Sequence, residues 1–116
     1  MHDKELVFSI LNQIFNALET IKIRSLNITN VSFFTDSNEG AEKLDAICML
    51  FIAIGESIKN LDKITNCELL ARYPEIDWKG IKGFRDVIAH HYFDIDAEQI
   101  FWICKSQLPT AKTVSL

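Results

Sequence analysis

Helical periodicity dominates this sequence. From about Lys4 to Leu26, apolar residues recur at every third or fourth position and polar residues fill the other side. This spacing is that of an amphipathic helix, because 3.6 residues complete one turn. A second long helix is predicted to begin in the polar segment 36–40, which supplies N-cap residues, and to end at about Leu61. With only four Gly and two Pro, the chain has too few turn residues for a β-sandwich and favours a helical bundle.

The centre of the second helix, residues 46–54, is apolar on every face. A surface helix of a small monomer cannot hide such a belt from water. The helix is therefore expected in the middle of the bundle, or with one face against a second subunit. In a domain of 116 residues we expect both, and we predict a homodimer.

Between the first two helices, residues 27–32 are predicted to form a loop that leaves Phe33 and Phe34 against the core. Three further helices are predicted in the second half of the chain. Their N-cap candidates are Thr65 or Asn66 for a short helix over residues 67–72, Asp77 for the next, and Asp94 or Asp96 for the last. Tyr73-Pro74 ends the short helix and Pro109 ends or kinks the last one. The predicted fold is all-α, an up-and-down bundle of four main helices plus one short helix, in a single domain spanning residues 1–116.

The helix predicted after Asp77 contains two glycines. Its buried stripe is predicted to consist of Trp78, Ile81, Phe84, Ile88 and Ala89. Gly80 and Gly83 lie within it, where each costs about 1 kcal/mol relative to alanine. They indicate close approach by another backbone or by a bound ligand.

Charge and cysteine usage narrow the classes of function. The net charge of −4 disfavours a basic coat for generic nucleic-acid binding, and we expect no DNA partner. Cys48, Cys67 and Cys104 form no C-x-x-C pair, which indicates reduced, mostly buried thiols in a cytoplasmic protein and no zinc site. The charged N-terminus and a longest apolar run of nine residues predict neither a signal peptide nor a membrane span.

One octet concentrates the groups suited to chemistry. It reads Arg85-Asp86-Val87-Ile88-Ala89-His90-His91-Tyr92, an arginine, two histidines and a tyrosine within eight residues. Positive charge gathers just before it, in Arg72, Lys79, Lys82 and Arg85 against Glu75 and Asp77. A permanent cation beside imidazoles that titrate near neutrality suits phosphate binding with proton transfer.

Metal-independent RNA cleavage is the chemistry that fits this octet. Histidine can remove the 2′-hydroxyl proton or protonate the leaving 5′-oxygen. Arginine can hold two phosphate oxygens as negative charge builds, and tyrosine can stack on a base. The sequence lacks a carboxylate cluster for two magnesium ions, and we expect no cofactor.

Helix geometry leaves a structural alternative open. On one regular helix Arg85 and His90 diverge by about 140°, so they converge only if the helix ends near His90 or if two subunits face each other across a cleft. Histidines at a helix C-terminus are also favoured by the helix dipole, and Arg85-Asp86 can be an exposed pair of little energetic weight. On spacing alone, a structural role outweighs a catalytic one.

The octet and its surroundings resemble a known family. The segment 78–96, the following Phe101-Trp102 and the upstream Gly55-Glu56 closely resemble the HepT-like branch of the HEPN superfamily. The resemblance implies a small helical bundle that dimerises and a ribonuclease toxin of a prokaryotic toxin–antitoxin pair. In that family an R-x4-H-x-Y motif forms the active site at the dimer cleft.

Residue by residue, the resemblance implies that Arg85 and His90 are catalytic and that Tyr92 is the motif tyrosine. The implied partner is a minimal nucleotidyltransferase antitoxin, which silences such toxins by transferring AMP to the tyrosine. A bulky anion on Tyr92 would fill the cleft and repel the RNA phosphate.

Three further residues are candidates for supporting roles. Many family members have Asn at the position of Asp86. Three roles are open for the carboxylate: it orients His90, it orients Arg85, or its negative charge weakens RNA binding. Glu56 either reaches the same cleft or pairs with a buried cation between helices. Lys82 adds positive charge beside the octet. The alternative functions are a catalytically silent module that binds a nucleotidyltransferase or a nucleotide, and a purely structural dimer.

Overall fold

The computed structural model describes residues 4–71, 78–90 and 92–106. This part of the chain contains helices and no strands. The elements are α1 (Lys4–Ser25), α2 (Ser32–Thr35), α3 (Asn38–Thr65), α4 (Glu68–Ala71), α5 (Trp78–His90), a 3-10 helix (Tyr92–Asp94) and α6 (Ala97–Ser106). The all-α prediction is confirmed, and α1, α3, α5 and α6 are the four main helices.

The predicted number of short helices is wrong, because the described chain has two short α-helices and a 3-10 turn. The missed helix α2 begins at Ser32, the last residue of the predicted loop. Its Phe34 is buried, as expected, whereas Phe33 is partly exposed. Four residues are too few to establish a helical stripe, so periodicity cannot reveal α2.

Helix α3 is the central helix of the domain. It packs against α1, α2, α4 and α5, whereas α6 packs on α1. Its buried residues include Ile47, Cys48, Phe51, Ile54, Ile58 and Leu61. The rings of Phe51 and Phe84 meet edge to face with centroids 5.1 Å apart, which joins α3 to α5. The expectation of a central position is therefore confirmed, and the predicted dimer stays a prediction.

Local interactions set both ends of α3, a side-chain cap at its start and a left-handed residue at its end. Ser37 caps the start, because its side chain accepts a hydrogen bond from the Gly40 amide at 3.0 Å. A Cβ on Gly40 would overlap the carbonyl oxygen of Phe33, so α2 and α3 approach closely there. At the other end Asn66 adopts the left-handed conformation, with φ of 52°. The predicted end at Leu61 was therefore one turn too early.

The last helix closes onto the first. The side chain of Asp96 accepts hydrogen bonds from the amides of Glu98 (3.0 Å) and Gln99 (3.3 Å), which confirms Asp96 as the cap of α6. Lys105 donates from Nζ to the Ser25 carbonyl at 2.7 Å, which also accepts from the Ile28 amide at 3.1 Å, so α6 is linked to the end of α1. The predicted signals at Asp77, Tyr73-Pro74 and Pro109 lie outside the described residues.

Helix α1 is both long and apolar. By length and composition it is the one described helix that could cross a membrane. One face is buried in the domain, including Ile14, Leu18 and Ile21. Core helices of soluble proteins meet the same criteria, so this property is weak support for a membrane location. The predicted absence of a membrane partner stays a prediction.

The two buried thiols, those of Cys48 and Cys104, are free, and Cys67 is free and exposed. Burial raises the pKa of the Cys48 thiol to about 12 and that of Cys104 to about 11. Both buried cysteines therefore remain protonated and unreactive. Among the described residues, no three side chains of the His, Cys, Asp and Glu types are grouped to hold a metal ion.

Candidate active site

Helix α5 carries the first six residues of the octet and packs on α3. Its apolar stripe faces the core through Trp78, Phe84 and Ile88. Ile81 is partly buried, whereas Ala89, which we had included in this stripe, is exposed. Ala89 is rotated by about 100° from Ile88, so it leaves the buried face.

Arg85 lies between α5 and α3, with its side chain 22% exposed. Its aliphatic stem packs on Gly55, where an added Cβ would overlap Cβ and Cγ of the arginine. The close approach that we had predicted from the glycines of α5 therefore occurs at a glycine of α3. At Gly83 no described atom of the same subunit would lie within 4 Å of an added Cβ, so the predicted approach of another backbone or a ligand stays a prediction there.

Two carboxylates hold the guanidinium of Arg85. Nη2 lies 2.6 Å from Oε1 of Glu56, and Nη1 lies 2.9 Å from Oδ1 of Asp86. The Nε atom is buried and has no hydrogen-bond partner in the described chain. Glu56 is thus the interhelical partner of this cation, and at 54% exposure it also borders solvent. The contact matches the interhelical alternative for Glu56, and its role in the cleft stays a prediction.

Asp86 is shared between Arg85 and a lysine of α3. Nζ of Lys59 lies 3.0 Å from the same Oδ1 that Arg85 contacts. The hydrogen bonds from Lys59 and then from Arg85 lower the pKa of Asp86 below its usual value of 3.8, so this side chain is a carboxylate at neutral pH. Of the alternatives for Asp86, its contacts match the one in which it orients Arg85.

Lys82 makes a separate link between α5 and α3. Its Nζ lies 2.7 Å from Oδ2 of Asp62, and both side chains are mostly buried. The charge of Lys82 is therefore largely neutralised inside the helix–helix interface. Sequence reasoning missed Asp62 and Lys59, because they lie 20 and 27 residues from their partners and no local pattern indicates the pairing.

His90 is the last residue of α5 and is exposed. Its side chain makes no hydrogen bond or ion pair with another residue of the described segments. Its distance of five positions from Arg85 turns it by about 140° around the helix axis. One subunit therefore does not bring the two motif residues into contact. His91 and the side chain of Tyr92 lie outside the description, and the backbone of Tyr92 begins the 3-10 helix.

An open depression lies on α3 beside this ion-pair network. Its volume is about 450 Å³, and it is lined by Glu56, Ser57, Lys59, Asn60 and Lys63. All five residues are polar, and they project from successive turns of one helix. Sequence reasoning named only Glu56 of this set. The available signal was the uninterrupted polar face that follows the apolar belt of residues 46–54.

The sequence is similar to proteins described as ribonucleases. A protein of Methanocaldococcus jannaschii named "Putative RNase" is 30% identical over 96 residues, which are 83% of this chain and 75% of that protein. A second protein of the same organism, named "Gamma-glutamylcyclotransferase and putative RNase", is 30% identical over 102 residues. Those residues are 88% of this chain and 42% of that protein, so this chain corresponds to less than half of it.

A shorter match covers part of a further relative. The "Putative RNase" of Caldanaerobacter subterraneus subsp. tengcongensis is 34% identical over 56 residues, which are 48% of this chain and 46% of that protein. No solved structure matches the chain significantly. The model of one family, described as "Ribonuclease HepT-like", matches residues 14–115 and so includes every element described above except the first part of α1. The chain belongs to the HepT-like ribonuclease family.

Proposed function

We propose that this protein is a metal-independent endoribonuclease that acts as the toxin of a toxin–antitoxin pair. The observation that carries this proposal is the placement of Arg85, whose guanidinium is held at the rim of α3 and α5 beside solvent. Membership of a ribonuclease family supports RNA as the substrate. The motif residues Arg85, His90 and Tyr92 supply the chemistry.

In the proposed reaction, His90 accepts the proton of a ribose 2′-hydroxyl, and the 2′-oxygen forms a bond to the adjacent phosphorus. The bond from phosphorus to the 5′-oxygen breaks, and that oxygen takes up a proton from a protonated His90, so that the proton removed from the 2′-hydroxyl is returned. The products are a 2′,3′-cyclic phosphate and a 5′-hydroxyl. Arg85 holds the non-bridging oxygens while charge builds on the pentacoordinate phosphorus.

A homodimer gives this mechanism its geometry. Because Arg85 and His90 diverge on α5, the arginine of one subunit and the histidine of the other would meet at a shared cleft. Exposed apolar side chains support such an interface: Met49 on α3 and Val87 on α5 are 66% and 46% exposed. Light scattering at micromolar concentration tests this, and a monomer there contradicts it.

Regulation is proposed to act on Tyr92. A minimal nucleotidyltransferase antitoxin would transfer AMP from ATP to the phenol oxygen and release pyrophosphate. The added phosphate would compete with RNA for Arg85. Intact mass measured after co-expression with such a partner should show added AMP, and peptide mapping should localise it to Tyr92. The proposed location of both proteins is the cytoplasm.

Cleavage of RNA in EDTA tests the catalytic proposal. Purified protein without its antitoxin should leave cyclic phosphate ends, and Arg85→Ala or His90→Ala should reduce the rate by at least about 100-fold. Arg24→Ala is a matched control, because Arg24 is an exposed arginine in the last turn of α1. If both motif variants cleave as the wild type does, the catalytic assignment is wrong.

One observation favours a second candidate function. Both terminal nitrogens of Arg85 are already paired with carboxylates, so an RNA phosphate must compete with two negative charges for the guanidinium. A catalytically silent module that binds a nucleotidyltransferase or a nucleotide would tolerate this neutralised arginine. Expression without the antitoxin separates the two functions, because growth arrest supports the toxin and harmless expression of unmodified protein supports the module.

A further inference from the structure

We propose that Gly55 and Glu56 are positioning residues for Arg85, which together fix the stem and the head of its side chain for phosphate binding. The proposal rests on the ribonuclease function proposed above, because that function identifies the ligand of Arg85 as a phosphate of RNA. It assigns a role to Gly55, which lies outside the R-x4-H-x-Y motif.

The stem of Arg85 is positioned by the absence of a side chain at Gly55. Gly55 is buried in the middle of α3, and an added Cβ would overlap Cβ and Cγ of Arg85. These two atoms are close to the α5 backbone, so they cannot rotate away as the far end of a flexible side chain does. Any larger residue must displace the arginine stem or separate the two helices.

The head of Arg85 is positioned by the next residue of α3. Glu56 contacts Nη2 at 2.6 Å, the shortest ion-pair distance of the network around this arginine. Successive residues on a helix point about 100° apart, so Gly55 faces the stem while Glu56 reaches around the rim. A single turn of α3 therefore holds both ends of the side chain.

The remaining donors of Arg85 favour a bidentate ligand. A guanidinium has five N–H donors, one on Nε and two on each terminal nitrogen. Nε is buried, and the two carboxylates take one donor from each terminal nitrogen. One donor is left on Nη1 and one on Nη2. Two donors on neighbouring nitrogens can serve two oxygens of one phosphate.

Kinetics of matched glycine variants test this role. Gly55→Ala should lower kcat by about 10- to 100-fold, because a displacement of about 1 Å at a catalytic group has effects of this size. Gly83→Ala is the control, since no described atom lies within 4 Å of the added methyl group. Both should be assayed at a temperature at which circular dichroism shows each variant fully folded. A folded Gly55→Ala with wild-type kcat overturns the proposal, even if its Tm is lower.

Variants of Glu56 test the head of the side chain. Glu56→Gln keeps an oxygen acceptor and should retain more activity than Glu56→Ala, which leaves Nη2 without its partner. Glu42→Ala is the matched control, because Glu42 is exposed on an earlier turn of α3. Equal kcat values for Glu56→Ala, Glu56→Gln and the wild type overturn the role of Glu56.

A measurement that does not depend on cleavage separates this proposal from the proposed function. The chain has three arginines, so the Nε–Hε region of a ¹⁵N correlation spectrum is simple, and Arg85→Lys identifies the Arg85 signal by its loss. We expect that signal to shift in Gly55→Ala and to stay in place in Gly83→Ala. If it stays in place in both, the positioning role is refuted. If it shifts but the wild type cleaves no RNA, the ribonuclease function alone fails.

Discussion

Replacing Gly83 by alanine should stabilise the protein. Gly83 lies in the interior of α5, is exposed, and has no positive φ that would favour glycine. An added Cβ would meet no described atom within 4 Å, so the methyl group creates no steric strain. Glycine at this position lowers helix stability through the conformational entropy that it loses on folding, and no packing contact with the described residues of the subunit requires it.

The expected gain is about 1 kcal/mol in the free energy of unfolding, the difference between alanine and glycine in a helix interior. For a chain of 116 residues, the entropy of unfolding near the midpoint is about 0.24 kcal/mol per degree. The predicted rise in Tm is therefore about 4 °C. RNA cleavage should not change, because a methyl group at Gly83 would meet no described side chain of the site.

Thermal and urea unfolding followed by circular dichroism measure this effect at equal protein concentration. The slope of the urea transition should stay constant, because the surface exposed on unfolding does not change. An unchanged or lower Tm would refute the reasoning. A lower Tm at high protein concentration that disappears on dilution would identify the cause as a second subunit in contact with Gly83. In that case the original inference of close approach at this glycine would hold for the dimer.

Three other variants or probes test separate parts of the structure. Gly40→Ala should destabilise the protein by more than about 2 kcal/mol in urea unfolding, because the added Cβ would overlap the carbonyl of Phe33; stability equal to the wild type would contradict this contact. A thiol reagent should modify Cys67 within minutes and the two buried thiols only upon unfolding, since their raised pKa values disfavour the thiolate; three equal rates would contradict the burial. Lys63→Gln should lower the slope of log Kd against log salt by about 0.7 for uncleavable single-stranded RNA, because one phosphate contact is lost. Lys22→Gln on α1 is the control, and equal slopes for Lys63→Gln and the wild type would exclude a phosphate contact at Lys63.

Periodicity in the sequence was sufficient for the long helices, because it records which face of each helix is buried. Helix α1 ends at Ser25, within one residue of the end predicted from its apolar stripe. The end of α3 was missed by four residues, since Asn66 and Cys67 adopt positive φ without a glycine to signal it. Helix ends are thus predictable where a side chain caps them, as Asp96 does, and not where the backbone alone makes the stop.

The candidate site was predictable as a motif but not as a set of contacts. Arg85 and His90 are recognisable from spacing and from the family resemblance. The contacts of Arg85 with Gly55 and Glu56 depend on the register between α3 and α5, which local patterns do not determine. The same holds for Lys59, whose partner is 27 residues away. Interhelical contacts of this kind require the packed structure.

Charge balance around Arg85 leads to a last prediction. Asp86 accepts from Arg85 at 2.9 Å and from Lys59 at 3.0 Å through the same oxygen. When a phosphate competes with Asp86 for the guanidinium, Lys59 can retain the carboxylate, so Asp86 is not left unpaired if its contact with Arg85 weakens. Lys59 should therefore promote RNA binding through Asp86, in addition to any direct attraction of its charge.

A double-mutant cycle measures this coupling through the dissociation constant for uncleavable RNA. Lys59→Gln should weaken binding by about threefold or more in the wild-type background, the scale of an exposed ion pair. In an Asp86→Asn background it should weaken binding less, because the neutral side chain no longer competes with phosphate for Arg85. Asp86→Asn alone should tighten binding, since it removes a negative charge from the guanidinium. Additive effects of the two substitutions would show that Lys59 attracts RNA directly and that Asp86 is not its intermediary.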